Sequence, residues 1–155
     1  MLGRGAGNQS DKVSTLSTRL KEKQEKIVEI LNALVEASAE GKPIIVEGKK
    51  DVEALRCLGV EGAIITVKTG GKSFLEVISG IERTGTTEAV LFLDFDRRGK
   101  EGTKLLKQSF ERAKIKADVG LWRALLSLAG KEVQCVEGLT AYLETLRVKI
   151  GVSAS

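Results

Sequence analysis

Two aspartates separated by one residue, Asp94 and Asp96, end an apolar run in the middle of the chain. The run begins at Ala89 and is rich in aliphatic residues, which is typical of a strand buried on both faces of a parallel sheet. Side chains two positions apart on a strand share a face, so we predict that both carboxylates point the same way, about 6.6 Å apart along the backbone. Unpaired carboxylates this close repel each other, so the pair calls for a cation or a bound proton.

The residue types that are scarce narrow the chemistry further. The 155-residue chain contains no histidine, which excludes a histidine general base and the usual histidine-based zinc sites. Cys57 and Cys135 form no Cys-x-x-Cys pair, so a zinc site or a disulfide framework has no support, and we expect both side chains to be buried. Any acid–base catalysis must therefore use an Asp, Glu, Lys or Tyr side chain.

Basic residues concentrate directly after the aspartates. Between Arg97 and Arg123 nine basic residues stand against three acidic ones, a larger excess than the net charge of +4 of the whole chain. A positive surface beside carboxylates suits a polyanion held near a metal site. A solvated helix face explains such a charge run about equally well, so the charge alone leaves both interpretations open.

Alternating strand and helix patterns surround these residues. Apolar runs at 44–46, 63–67 and 89–95 are each followed by a loop and a helical pattern, and a fourth strand is expected near 116–119. Repeated strand–loop–helix units predict an α/β fold with a doubly wound, mostly parallel, four-stranded Rossmann-like sheet and right-handed crossovers. The stretch 133–136 fits either an edge strand or an extended connector.

A long amphipathic helix is expected before the sheet. We predict that residues 1–9 are disordered, that 10–41 form this N-terminal helix, and that 42–150 form the α/β domain with its C-terminal helices. The middle of the helix is very polar, so its first half is a candidate contact for a homodimer. No apolar run approaches the roughly 20 residues of a membrane span, and we expect no membrane contact and a cytoplasmic location.

Three acids are expected to meet at one edge of the sheet. Glu47 follows the first strand, while Asp94 and Asp96 end the third. Ligands of open α/β sheets bind beyond the carboxyl ends of the strands, where strand order reverses. In a flavodoxin-like strand order the first and third strands are neighbours, so we predict that these carboxylates share one crevice. An all-oxygen ligand set favours Mg²⁺ or Mn²⁺.

Two short motifs resemble a known family. They are Val46-Glu47-Gly48 with Asp51 following, and Leu93-Asp94-Phe95-Asp96 with Gly99 following, and both are similar to motifs of the Toprim domain. That domain occurs in topoisomerases, bacterial-type primases, OLD-family nucleases, RecR proteins and the nucleases that mature small ribosomal RNA. The resemblance covers about residues 42–120. It implies that Glu47 is the acid–base residue beside the metal, and that Asp94 and Asp96 are magnesium ligands.

Neighbouring residues complete the expected site. Asp51 either supports the metal or caps the following helix. Gly48 and Gly99 either let the backbone approach a phosphate or simply permit tight turns. Candidate nucleic-acid contacts, with salt bridges to the acids as the alternative, are Lys49, Lys72, Arg97, Arg98 and Lys100.

The resemblance implies hydrolysis of nucleic acid. The only tyrosine, Tyr142, lies in a C-terminal helical pattern and not in the separate domain that a topoisomerase mechanism requires. We therefore expect a magnesium-dependent nuclease, with RNA slightly preferred as substrate. The alternative is a non-catalytic module for nucleic-acid binding or assembly. A phosphatase with an Asp94 nucleophile is a third interpretation, disfavoured because such enzymes carry Asp-x-Asp on the first strand.

Overall fold

The computed structural model describes residues 4–67 and 71–154, with side chains described for 15–67 and 74–152. Helices and strands alternate along this part of the chain. In order they are α1 (Arg4–Ala39), β1 (Ile44–Val46), α2 (Lys49–Cys57), β2 (Ile64–Thr66), α3 (Gly71–Arg83), β3 (Glu88–Leu91), α4 (Arg97–Arg112), β4 (Lys116–Asp118), α5 (Gly120–Ala129), a 3-10 turn (Val136–Gly138) and α6 (Leu139–Ala154). The predicted α/β class is confirmed.

The four strands form one parallel sheet in the order β2-β1-β3-β4. In register, Ile45 lies beside Ile65 on one side and beside Leu91 on the other. Strand β1 thus has β2 on one side and β3 on the other, and strand order reverses between β1 and β3. The predicted flavodoxin-like adjacency of the first and third strands is therefore confirmed.

Both faces of the sheet are covered by helices, which explains why the buried residues of the central strands, Ile44–Val46 and 89–91, are all apolar. Alternate strand residues enter two separate cores. Ile44 and Val46 pack in the core formed with α1, α2, α5 and α6, whereas Ile45 packs in the core formed with α3 and α4. Successive side chains of a strand point to opposite faces, so a strand that is buried on both sides must be apolar at every position. The sheet is therefore doubly wound.

Helix α1 docks on the sheet through its second half. Ile27, Leu31 and Leu34 are buried in the first core, and Lys23 forms an ion pair of 3.0 Å with Glu132. The helix begins at Arg4, inside the stretch predicted to be disordered, because adding residues to an existing helix costs little. Residues 1–3 lie outside the described part. So do the side chains before residue 15, which form part of the half-helix predicted to make a homodimer contact.

Two expectations differ from the structure, and one open alternative is decided. Strand β3 ends at Leu91 and not at residue 95, because its neighbour β1 ends at Val46; the Phe92 N–H still donates to the Ile45 carbonyl, and beyond Phe92 the chain turns towards α4. The 133–136 stretch is a connector that leads into the 3-10 turn. Cys57 is exposed, so its predicted burial is wrong. Within the described residues, no helix has the length and apolarity needed to span a membrane.

Candidate active site at the strand reversal

The carboxyl groups of Glu47 and Asp94 meet where strand order reverses. Glu47 follows β1 directly, and the chain beyond β3 stays against β1 because the Phe92 N–H donates to the Ile45 carbonyl at 2.8 Å. The segments that follow β1 and β3 leave the sheet at the same edge, so the side chains of Glu47 and Asp94 are brought together. Glu47 and Asp94 line the same cleft, and Asp94 lies close enough to Glu47 to raise the pKa of that carboxyl. The predicted convergence of these two acids is therefore present.

The environment of Glu47 favours its protonated form. Burial is the largest cause, followed by the proximity of Asp94 and by the negative charges of Asp94, Asp96 and Asp51, and together they raise the pKa of Glu47 to about 8. Two carboxylates in contact cannot both ionise without a compensating charge. A pKa of about 8 favours the protonated form of Glu47 at neutral pH.

Backbone donors and an indole hold the Asp94 loop in place. The Val136 N–H donates to Asp94 Oδ1 at 3.1 Å, and the Phe95 N–H donates to the Gln134 carbonyl at 2.7 Å. The buried Trp122 donates from Nε1 to the Leu93 carbonyl at 2.9 Å. These contacts come from segments far along the chain, and they fix the acid relative to the sheet.

Asp51 has a structural role that involves both of its oxygens. Its Oδ2 accepts the Gly48 N–H at 3.0 Å, which caps α2, and its Oδ1 accepts the Glu137 N–H at 3.2 Å. Burial and the charge of Asp94 raise the pKa of Asp51, while the two backbone donors oppose that rise. Of the two predicted roles, the structure shows the helix cap, and it adds an anchor for the 3-10 turn.

Asp96 caps a helix and does not extend strand β3 alongside Asp94. It is the N-cap of α4, with Oδ1 accepting the Gly99 N–H at 2.7 Å. The prediction that Asp94 and Asp96 share the face of one strand is wrong, because both residues follow the end of β3 and the chain has already turned into α4. Asp96 still adds negative charge near Glu47.

Gly48 and Gly99 differ in how much space the structure leaves for a side chain. A Cβ at Gly99 would lie 2.1 Å from the Asp94 carbonyl oxygen, so the tight entry to α4 requires glycine. At Gly48 the backbone is extended, with φ −146° and ψ 178°, and a Cβ there would meet only Asp51 Oδ2, at 3.9 Å. Gly99 is thus explained by the turn, whereas Gly48 leaves open space beside Glu47.

The predicted three-acid ligand set is reduced to a pair. Among residues 4–67 and 71–154, no three His, Cys, Asp or Glu side chains are arranged to hold one ion. Asp51 and Asp96 each accept a backbone N–H at a helix start, and Asp94 Oδ1 accepts the Val136 N–H. Glu47 and Asp94 lie side by side in the cleft.

A cleft of about 660 Å³ opens in front of this pair. Acidic, basic and apolar side chains all line it. The lining residues include the acids Glu47, Asp51, Asp94, Glu101 and Glu137, the bases Lys49, Lys50 and Arg98, and the apolar Val67, Phe74, Leu93 and Leu105. Cys135 also lines it, and burial raises the pKa of its thiol. Sequence analysis did not find Glu137 or Cys135 as site residues, since their segment carries no periodic pattern.

The predicted nucleic-acid contacts are distributed over different surfaces. Lys49 and Arg98 line the cleft. Arg97 is 93% exposed and pairs with Glu101 at 3.4 Å, and not with Asp94 or Asp96. Lys100 lies in a separate groove across α4. Lys72 belongs to α3, and its side chain lies outside the described part.

Comparisons with known proteins identify relatives and a structural neighbour. No family model matches the chain. A UPF0292 protein of Methanocaldococcus jannaschii is 35% identical over 120 residues, covering 77% of this chain and 91% of that protein. A UPF0292 protein of Methanosarcina barkeri is 36% identical over 127 residues, covering 82% and 87%. A solved structure of a putative protein from Aquifex aeolicus covers 72% of this chain and 95% of its own, with a TM-score of 0.61 and 22% identity, which shows a shared fold.

Proposed function

Since this chain belongs to the UPF0292 protein family, its activity is inferred from its own site, and we propose that it is a magnesium-dependent nuclease that hydrolyses phosphodiester bonds beside Glu47 and Asp94. The observation that carries this proposal is the contact between the two carboxyl groups at the strand reversal, facing a cleft. The resemblance of both motifs to the Toprim domain favours the same chemistry. RNA and DNA are both candidate substrates.

The carboxyl pair fits a hard divalent ion. Its donors are oxygens, which Mg²⁺ and Mn²⁺ prefer, and histidine is absent from the sequence. Burial, followed by the proximity of Asp94 and the negative charges of Asp94, Asp96 and Asp51, raises the pKa of Glu47 to about 8, and a bound cation would offset these effects. Glu47 and Asp94 would hold the ion in place of the proton. When bound, Mg²⁺ neutralises charge on the phosphoryl group that is transferred.

The residues at the cleft have different roles in the proposed hydrolysis. Glu47 exchanges a proton with the attacking water or with the leaving oxygen, as the water oxygen bonds to phosphorus and the bond to the leaving oxygen breaks. Lys49 and Arg98 bind the negative oxygens of the diester. The Val136 N–H keeps Asp94 oriented. Each step uses a group that the structure places at the cleft.

The apolar wall of the cleft favours a nucleotide over a simple phosphate ester. Phe74 and Leu105, from α3 and α4, line the same cleft as the acids. An aromatic ring beside a phosphate site offers a stacking surface for a base, and base–aromatic stacking contributes about 1–3 kcal/mol. A substrate with a phosphate at the acids and a base at this wall would contact both halves.

The test is hydrolysis of labelled RNA and DNA oligonucleotides with millimolar Mg²⁺ or Mn²⁺. We expect wild-type cleavage to need the metal, and Glu47→Gln and Asp94→Asn each to lower the rate by at least about 100-fold, since general acid–base groups typically contribute that much. Glu53→Gln is the matched control, because this exposed α2 glutamate lies outside the cleft.

Two results would contradict the proposal. One is cleavage that persists in Asp94→Asn, which would place the activity elsewhere or in a contaminant. The other is wild-type protein that binds the oligonucleotides but does not cleave them with either metal. The second result would support the non-catalytic binding module instead.

A further inference from the structure

A second concave surface lies across α4 from the cleft. It is a groove of about 460 Å³ between α4 and α5, and its basic lining residues are Lys100, Lys104, Lys107 and Arg123, with Glu111 as the acidic one. With 3.6 residues per turn, Lys100, Lys104 and Lys107 share one face of α4, whereas Arg98 and Leu105 face the cleft. One helix therefore separates a basic groove from the acidic pair.

Four of the five charged side chains that line this groove are basic. Among the side chains that the structure describes, none of the recorded ion pairs involves Lys100, Lys104, Lys107 or Arg123. Like charges that face one groove repel each other, and a bound polyanion relieves that repulsion while it releases its own counterions. The groove is therefore a candidate for a negatively charged polymer.

We propose that this groove binds the phosphate backbone of the nucleic-acid strand whose scissile bond lies in the cleft; the inference rests on the proposed nuclease function. From Lys100 to Lys107 the helix rises over seven residue steps by about 10 Å, at 1.5 Å per residue. That length matches roughly three phosphates of one strand, at about 3.4 Å each along a duplex axis. Arg123 faces the same phosphates from α5.

One side chain of the groove, that of Trp122, also contacts the Asp94 loop. Trp122 lines the groove, is 5% exposed, and donates from Nε1 to the Leu93 carbonyl at 2.9 Å, with the Asp94 carbonyl 3.4 Å away. A strand in the groove thus lies against a residue that touches the backbone of Asp94. The distance to the cleft is about one helix diameter, roughly 10 Å.

The test measures binding of a short, labelled single-stranded RNA by fluorescence anisotropy, in EDTA and over a range of salt concentrations. The variant is Lys104→Gln/Lys107→Gln, and the control is Lys21→Gln/Lys26→Gln, which removes the same charge from exposed α1 positions. We expect the salt slope of log Kd to fall by about 1.4 in the groove variant, since each single-stranded phosphate contact contributes about 0.7. At physiological salt that corresponds to roughly tenfold weaker binding. The control should bind like wild type.

Equal slopes for the two variants would overturn the groove as the binding site. Displacement of the RNA by polyglutamate or by phosphatidylserine vesicles at matched charge would overturn its assignment to nucleic acid. Cleavage assays on the same variants distinguish failure of the proposed binding groove from failure of the proposed nuclease function. If RNA binding depends on the groove but no cleavage occurs, the proposed nuclease function is contradicted and the proposed binding groove is supported. If cleavage occurs but the salt slope of log Kd is the same in the groove variant as in wild type, only the proposed binding groove is contradicted.

Discussion

Glu47 lies beside Asp94 in one cleft although the two residues belong to different strand–helix units. The contact exists because β1 and β3 are parallel neighbours that end at the same edge of the sheet. Since adjacent carboxylates repel when both are ionised, the pair must hold a proton or a cation. Titration behaviour, metal binding and the proposed catalysis therefore depend on the same contact.

The stability of the protein should depend on pH through Glu47. Its pKa is about 8 in the folded protein, against an ordinary value of 4.5. A raised carboxyl pKa stabilises the fold fully below pH 4.5, and the contribution is lost as pH rises through about 8. We expect the free energy of unfolding of wild type, relative to that of Glu47→Gln, to fall between these pH values in metal-free urea titrations. A constant difference would show that Glu47 titrates normally.

Substitution of Gly99 should destabilise the entry to α4. A Cβ at this position would lie 2.1 Å from the Asp94 carbonyl oxygen, so Gly99→Ala must shift backbone. We expect a loss of about 1–3 kcal/mol, the usual cost of overpacking. Gly48→Ala is the matched control, because its Cβ would have room, and it should change stability by no more than about 0.5 kcal/mol. Trp122, the single tryptophan, reports unfolding by fluorescence. Equal losses for the two variants would refute this account of Gly99.

Asp51 should matter through its two hydrogen bonds. Asn at this position has one oxygen acceptor and one amide donor, so it cannot accept both the Gly48 and the Glu137 N–H groups. We expect Asp51→Asn to cost about 1–3 kcal/mol, and to increase hydrogen exchange at the amide of Glu137. Glu53→Gln, on the exposed side of α2, serves as the control. Unchanged exchange at Glu137 would show that the anchor is unimportant.

The sequence predicted the parts of the site that depend on periodic patterns. Buried strands followed by helices predict a doubly wound sheet, and that topology places Glu47 beside Asp94. The position of Asp96 was not predictable in the same way, because an aspartate at the end of an apolar run fits a strand residue or a helix N-cap. Gly99 decides between them, since its N–H reaches Asp96 only after the chain has turned.

The connector between α5 and α6 could not be placed from its own residues. Val136 and Glu137 contribute backbone N–H groups to Asp94 and Asp51. Every residue type except proline carries such a donor, so the side-chain sequence holds no signal of this role. The contact depends on how α5 and α6 pack, which is a property of the whole fold. Cys135, on the same connector, was expected to be buried; it is half-buried and lines the cleft.

The most direct test of the account is the position of a divalent ion in crystals soaked in Mn²⁺ near pH 8.5, where Glu47 is ionised. Anomalous scattering locates Mn²⁺ without ambiguity. We expect a peak within coordination distance of the carboxylates of Glu47 and Asp94, and its loss in crystals of Asp94→Asn. A peak only at other residues, or none at millimolar Mn²⁺, would contradict the claim that this pair is a metal centre.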